Sequence, residues 1–201
     1  MIRITNFAHG ARGVRVGWVC EEMGLPYEVV KLAYPPGADY LELNCVGTVP
    51  LLEDGEVRIA ESVAMMLYLA GKYGPTKLLP APGEEAYAVV MEMVVLAEAS
   101  LGGCLNTMLA GKFAAPAGET SNWLVGRSET RGESLVEYVS RRLGGNGFLA
   151  GDRLTLADIA VETALRMWVG VLGKAVPSNL IGYRERLSAL PGYQRALLAQ
   201  N

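Results

Sequence analysis

The chain has 201 residues, of which 51% are hydrophobic and 19% charged, with a formal net charge of −3. This composition is typical of a globular protein with a sizeable core and not of a disordered chain. Arg141-Arg142 is the one adjacent basic pair in the sequence, so nucleic acid is not an expected partner.

The cysteines are few and widely spaced, at Cys20, Cys45 and Cys104. Neither a disulfide framework nor a metal site is expected from an odd number at these separations, and a reducing cytoplasm fits best. The opening segment MIRITNFAHG has no signal-peptide pattern. The most apolar run, AYAVVMEMVVLAEASLGGCL, is interrupted by Glu92 and Glu98, so no membrane helix is expected. We therefore expect a soluble cytoplasmic protein.

The first 75 residues have mixed helix and strand patterns. Alternation predicts a strand over Met1–Phe7, and a second strand is predicted over Tyr27–Leu32. Between them, apolar residues recur at helical spacing: Val16, Val19, Cys20 and Met23. Gly24 is predicted to end this helix in the left-handed conformation, and Pro26 prevents its continuation. A strand, a helix and a strand in close succession favour parallel pairing of the two strands.

The next segment, AYPPGADYLELN, is expected to be irregular because Pro35-Pro36-Gly37 interrupts it, with one optional helix before the hairpin. A short β-hairpin is predicted for Leu51-Leu52 and Val57–Ile59 around an Asp54-Gly55 turn. A helix is then predicted with Ser62 as its N-cap, and we expect it to end before Pro75.

Residues 76–84, TKLLPAPGE, have the composition of a linker, and the segments after it favour helices. The predicted helices cover residues 85–112, 121–143, 155–172, 178–188 and 192–199. Thr155 and Asp158 have the spacing of a capping box, with Thr155 as N-cap of a strongly apolar helix. We assign this pair a structural role.

Three segments together resemble the cytosolic glutathione S-transferases, particularly the bacterial type. They are WVCEEMGLPYE, then NCVGTVPLLEDG running into Glu61-Ser62, and GDRLTLADIAV at residues 151–161. The resemblance covers essentially the whole chain and implies an α+β fold. A thioredoxin-like domain at 1–75, with a mixed four-stranded sheet, would be joined by the 76–84 linker to an all-helical domain at 85–201.

The resemblance also implies a binding site for glutathione. In this family the bond before the proline corresponding to Pro50 is cis, and the preceding residue, here Val49, pairs its main chain with the cysteinyl unit of the tripeptide. Thr48 belongs to the same segment. Ser62 and the N-terminus of its helix would bind the γ-glutamyl carboxylate, and Glu61 the ammonium group. Simpler interpretations are an ordinary loop proline and a plain helix cap.

The catalytic position departs from the family pattern. These enzymes hold glutathione as a thiolate, using a Tyr, Ser or Cys near the start of the first helix. In the serine type, Ser lies four residues before an Arg; counting back from Arg15 gives Ala11. Three explanations remain open: backbone amides around Ala11 stabilise the thiolate, the side chain of Arg12 or of His9 takes over, or the protein binds glutathione but is a poor catalyst. Gly10 and Gly13 would allow a ligand to approach closely.

The family further implies an apolar cleft for a hydrophobic electrophile between the two domains. The residues expected to line it are Phe7, Ala8, Met108, Phe113 and Trp123. A homodimer is expected, with residues 60–73 and 85–110 in the interface. Cys20 is expected to be core rather than catalytic.

The function implied is therefore a glutathione transferase of the detoxifying kind. Alternatives are a non-catalytic glutathione or hydrophobic-ligand binder on the same fold, or a glutathione-dependent isomerase, peroxidase or dehalogenase.

Overall fold

The computed structural model describes residues 1–8, 11–116, 118 and 121–200. The chain divides into two compact units. The first comprises Met1–Leu79 together with the segment from Leu187 onward, and the second comprises Pro80–Arg186. The first contains a sheet with helices and the second is helical, which confirms the predicted α+β fold class.

The regular elements follow one another in an order close to that predicted. They are β1 (Ile2–Phe7), α1 (Ala11–Met23), β2 (Tyr27–Leu32), α2 (Ala38–Leu43), β3 (Leu51–Asp54), β4 (Val57–Ile59), α3 (Ser62–Lys72), α4 (Glu85–Val95), α5 (Gly102–Phe113), α6 (Trp123–Leu143), α7 (Leu156–Arg166), α8 (Ser178–Ser188) and α9 (Pro191–Gln200). Two π-helical turns, Leu96–Leu101 and Met167–Val171, continue α4 and α7 respectively.

The sheet of the first unit has the strand order β2-β1-β3-β4. β1 pairs with β2 in parallel and with β3 antiparallel, and β3 and β4 form the predicted hairpin. Ile2 and Ile4 alternate onto the buried face, where α1 packs against α3. Gly24 has φ 65°, and the Leu25 N–H donates to the Cys20 carbonyl at 2.9 Å. The predicted left-handed end of α1 is thus confirmed.

Two local predictions need correction. The segment expected to be irregular, with an optional helix, contains α2, a six-residue helix that begins directly after Gly37. The N-cap of α3 is Glu61, with extended backbone at φ −107° and ψ 117°, whereas Ser62 is already the first helical residue. The serine does not cap the helix because its hydroxyl meets a side chain from α1.

The C-terminal helix belongs to the first unit, although the sequence prediction placed it in the helical domain. α9 packs along α1, with the rings of Trp18 and Tyr193 4.8 Å apart between centroids. At its end, Asn6 Nδ2 donates to Gln200 Oε1 at 2.5 Å, and both side chains are buried. α1 has apolar residues on more than one side, so it requires a second helical partner besides α3.

The start of α7 is the most strongly hydrogen-bonded cap in the second unit, counted over the described residues. Asp158 Oδ2 accepts the Thr155 N–H at 2.8 Å and the Thr155 hydroxyl at 3.0 Å. Its Oδ1 accepts the Leu149 N–H at 2.8 Å and the Tyr183 hydroxyl at 3.0 Å. The capping box predicted from sequence is confirmed. Burial raises the pKa of Asp158, and these four donors oppose that rise.

α4, the first π-helical turn and α5 form one helical run, Glu85–Phe113, with mean hydropathy 1.7. In the part of the chain that the structure describes, it is the one helix with the length and composition of a membrane span. Its buried side chains include Val90, Met93 and Leu105, and the run packs against α6 and α7. A core helix has the same length and composition, so the run is weak evidence for a membrane.

Candidate glutathione site

Three segments of the first unit meet at one edge of the sheet. Thr5 pairs with Leu51, and Leu52 pairs with Ile59. By continuation of this register, the end of β1, the residues before β3 and the residues after β4 lie side by side. The end of β1, the Val49-Pro50 segment and the start of α3 are therefore neighbours. Glu61-Ser62 lies at the same edge as Val49, as the binding prediction requires.

Two side chains, one in α2 and one directly after it, hold the main chain before Val49 by hydrogen bonds. The Thr48 carbonyl accepts hydrogen bonds from the Tyr40 hydroxyl at 2.5 Å and from Asn44 Nδ2 at 2.8 Å. Asn44 Oδ1 also accepts the Val46 N–H at 3.3 Å. Tyr40 and Asn44 are both buried. Asn44 was part of the sequence motif, but no local pattern marked Tyr40 as a residue that positions this loop.

Val49 leaves its main chain outside the sheet ladder. The Val49–Pro50 peptide bond is cis, in agreement with the family resemblance. The β1–β3 ladder ends at Leu51, two residues further on, so the N–H and C=O groups of Val49 lie beyond the pairing. The side chain of Val49 is half-buried, that of Pro50 is buried and Thr48 is exposed. A strand-like ligand matches such an edge.

The start of α3 brings an exposed carboxylate and a buried hydroxyl next to each other. Glu61 is exposed, whereas Ser62 is 3% exposed. The first main-chain bond of the helix runs from the Met65 N–H to the Glu61 carbonyl at 2.9 Å. The N–H groups of Ser62 and the two residues after it consequently have no partner within the helix. Such an end attracts a carboxylate through its N–H groups and its dipole.

Arg15 is the residue of this site that sequence reasoning missed. It served only to locate position 11, yet its side chain is 0% exposed and its Nη1 donates to Ser62 Oγ at 3.3 Å. The contact joins residues 47 positions apart, and no spacing rule along the chain reveals it. An arginine in an otherwise apolar helix face was the one available signal.

The proposed thiolate-stabilising groups lie at the start of α1. Ala11 is the first residue of the helix, Arg12 is half-buried in its first turn, and His9 and Gly10 lie outside the described residues. A Cβ at Gly13 would lie 2.3 Å from Asn6 Nδ2, so close packing of α1 on β1 by itself requires a glycine here. The close approach of a ligand at Gly10 and Gly13 stays a prediction.

The predicted electrophile residues of the first unit lie at the end of β1. Phe7 is half-buried and Ala8 is exposed. The Phe7 ring meets Tyr34 edge-on, at 5.4 Å between centroids and 85° between planes. Tyr34 is 81% exposed, so the pair forms an aromatic surface. The sequence analysis did not include Tyr34.

The predicted electrophile residues of the second unit differ in exposure. Met108 is 4% exposed, whereas Phe113 and Trp123 are 68% and 75% exposed. Adjacent to the last two, between the end of α5 and the start of α6, lies a cavity of about 480 Å³. Its lining residues are mostly small or apolar: Asn106, Thr107, Ala110, Gly111, Ala114, Ala115, Asn122, Leu124 and Val125. Neither Phe113 nor Trp123 is among them.

Cysteine chemistry is not prominent at this edge. Burial raises the pKa of Cys20 to about 12, which makes its thiol a poor nucleophile, in agreement with the expected core role. Cys104 is also buried, and Cys45 is exposed in the loop after α2. Among the described residues, no group of three or more His, Cys, Asp or Glu side chains is arranged to hold a metal ion.

Comparison with known proteins agrees with this arrangement. The family models for the glutathione S-transferase N-terminal and C-terminal domains match residues 12–72 and 107–191. Glutathione S-transferase F10 of Arabidopsis thaliana is 31% identical over 178 residues, covering 84% of this chain and 80% of the relative. Glutathione S-transferase GstB of Escherichia coli is 30% identical, covering 89% of this chain and 88% of the relative.

The fold is shared with solved glutathione transferases. The crystal structure of URE2P8 from Phanerochaete chrysosporium with oxidised glutathione superimposes with a TM-score of 0.86, covering 99% of this chain and 94% of that chain, at 22% identity. The sheet, the helical unit and the Val49 edge thus define a two-part glutathione transferase fold. The chain belongs to the glutathione S-transferase family.

Proposed function

We propose that the protein binds glutathione at the sheet edge formed by Val49 and the start of α3. The main chain of Val49 pairs with the cysteinyl unit, Ser62 and the helix N-terminus bind the γ-glutamyl carboxylate, and Glu61 binds the ammonium group. The observation that carries this proposal is the register of β1, β3 and β4, which brings these segments to one edge.

The proposed reaction is transfer of the glutathionyl group to a hydrophobic electrophile. The bound thiol loses its proton to solvent, the thiolate forms a carbon–sulfur bond, and the leaving group departs with the electrons of the broken bond. The thiolate is held by backbone amides near Ala11, aided by the dipole of α1, or by Arg12 or His9. Phe7, Ala8, Met108, Phe113 and Trp123 are the proposed apolar contacts of the electrophile.

We further propose a cytoplasmic homodimer with a role in detoxification. Residues 60–73 and 85–110 are the proposed interface, which fits the long apolar run of α4 and α5. Size-exclusion chromatography with light scattering tests this, since a monomer at micromolar concentration contradicts it. As ranges along the chain, the proposed division is 1–75, the linker 76–84 and 85–201, with glutathione bound by the first part. The last helix, α9, nevertheless packs on α1 of the first part.

Glutathione binding is tested by calorimetry on the wild type and two variants. Ser62→Ala removes a hydrogen bond to a charged group, so we expect affinity to fall by about 10-fold or more. Glu61→Gln removes the partner of the ammonium group and is expected to weaken binding by a similar factor. Matched controls are Ser134→Ala and Glu56→Gln, both at exposed positions away from the edge. Unchanged affinity in both site variants would refute the proposed site.

Catalysis is tested by conjugation of a chloronitroaromatic compound, followed by absorbance. If Arg12 or His9 stabilises the thiolate, its replacement by alanine lowers kcat/KM by about 100-fold or more. Unchanged rates in both variants favour the backbone amides. Ala11→Ser restores the hydroxyl of the serine-type pattern, and we expect it to raise the rate of thiolate attack.

A non-catalytic glutathione binder is the second candidate, because Ala11 lacks the hydroxyl that the serine-type pattern uses. Binding of glutathione without measurable conjugation, in the wild type and in Ala11→Ser, favours this candidate. Isomerase, peroxidase and dehalogenase assays with glutathione address the remaining enzymatic alternatives.

A further inference from the structure

Arg15 contacts the candidate site from inside the protein. Its side chain, in the second turn of α1, is 0% exposed, and Nη1 donates to Ser62 Oγ at 3.3 Å. Fully buried arginines are rare because the guanidinium loses its hydration. Because Arg15 is fully buried and contacts the first residue of α3, we expect it to have a role that an apolar side chain of the same length could not perform.

The chemistry of the pair determines the direction of the serine hydrogen. A guanidinium has five N–H donors and no acceptor, so Ser62 Oγ accepts the hydrogen bond. The single hydrogen of the hydroxyl then points toward another acceptor. Arg15 thus holds Ser62 with its oxygen toward α1 and its hydrogen available elsewhere.

Because of the position of Ser62, the direction of its hydroxyl hydrogen affects which ligand group can bind at the start of α3. Ser62 is the first residue of α3, where N–H groups without intrahelical partners already favour an anion. A carboxylate accepts hydrogen bonds and donates none. A hydroxyl fixed as a donor adds to those N–H groups, whereas one free to rotate would also present its lone pairs to the carboxylate.

We propose that Arg15 is a positioning residue that orients the Ser62 hydroxyl as a donor for the γ-glutamyl carboxylate. This inference rests on the proposed glutathione site. Arg15 itself does not touch the ligand. Its effect is specific to the carboxylate, because the rest of the tripeptide pairs with other groups.

The test compares two ligands by calorimetry: glutathione and 4-aminobutanoyl-cysteinylglycine, which lacks only the γ-glutamyl α-carboxylate. The variant Arg15→Met keeps the length of the side chain and removes its donors. We expect it to weaken glutathione binding by about 10-fold or more and to change binding of the analogue by less than about 2-fold. In the Ser62→Ala background, Arg15→Met should cause no further loss, since the two residues act as a unit. Arg141→Met, at an exposed position of α6, is the matched control.

Two outcomes overturn the inference while leaving the glutathione site intact. Equal losses for the two ligands would mean that Arg15 only holds α1 to α3, and additive losses with Ser62→Ala would mean that it acts independently of the serine. Wild-type protein that binds neither ligand would instead refute the proposed function. If Arg15→Met does not fold, as judged by circular dichroism, Arg15→Leu replaces it. Leucine likewise has no donor for Ser62 Oγ, so the same glutathione-specific loss is expected, and its absence overturns the inference.

Discussion

Replacing Gly132 by alanine tests how closely α6 packs on the π-helical turn that follows α7. A Cβ at Gly132 would lie 2.5 Å from Cζ3 and 2.8 Å from Cη2 of Trp168. Carbon atoms in favourable contact are about 3.5–4.0 Å apart. Trp168 is 1% exposed and its Nε1 donates to the Ala175 carbonyl at 2.9 Å. The indole therefore has no vacant space to move into without losing that hydrogen bond.

The expected change combines three effects. Overpacking costs about 1–3 kcal/mol, and loss of the indole hydrogen bond costs about 1 kcal/mol. The higher helix propensity of alanine returns about 1 kcal/mol. We therefore expect Gly132→Ala to lower the free energy of unfolding by about 1–3 kcal/mol. Gly126→Ala is the matched control: it lies in the same helix, and a Cβ there would meet nothing within 4 Å. It should be stabilising by about 0.5–1 kcal/mol.

The assay is urea unfolding at neutral pH, followed by far-ultraviolet circular dichroism, on the wild type and both variants. The two substitutions are chemically identical, so a change of opposite sign isolates the contact with Trp168. A Gly132→Ala variant at least as stable as the wild type, alongside a stabilised Gly126→Ala variant, would show that the contact is not tight and refute the reasoning.

Three further predictions concern buried or paired carboxylates. Asp158→Ala leaves four donors without their acceptor and should lower the free energy of unfolding by about 3–5 kcal/mol, measured by thermal or urea unfolding. Thr155→Ala should lower it by only about 1 kcal/mol, and similar losses for both variants would contradict the hydrogen-bond network. Burial raises the pKa of Glu162 from 4.5 to about 7, so its stabilising contribution is present below pH 4.5 and lost as pH rises through 7. The stability of the wild type relative to Glu162→Gln should thus fall by about 3 kcal/mol between pH 4.5 and 8 in urea titrations, and a flat difference would refute this. The hydrogen bond from Lys72 lowers the pKa of Asp54, so its contribution is present above pH 3.8 and lost as pH falls further; acid unfolding curves should show this loss in the wild type and not in Asp54→Asn.

Features that depend on neighbouring residues were predictable. The hairpin follows from an Asp54-Gly55 turn between two apolar runs, and Gly55 has φ 65°. The left-handed Gly24 and the Thr155 capping box follow from residue types at fixed offsets. In each case the side chain or backbone partner lies within a few positions along the chain, so the local sequence is sufficient to predict the interaction.

Features that depend on distant partners were not predictable. Serine is a residue type that favours the N-cap position, so Ser62 was predicted there. In the structure its hydroxyl accepts a hydrogen bond from Arg15, and Glu61 is the N-cap residue. The last helix has no marker that assigns it to the first unit rather than the second. A hydrophobic stripe shows that a helix needs a partner but does not identify which one.

The amino-acid sequence alone determined the order of strands and helices, the family and the segments that form the candidate glutathione edge. The tertiary structure decided how that edge is supported: Tyr40 and Asn44 hold Thr48, Arg15 holds Ser62, and α9 returns to cover α1. The physical reason is that turns and caps arise from contacts between near neighbours, whereas buried polar contacts form between residues tens of positions apart once the core has closed.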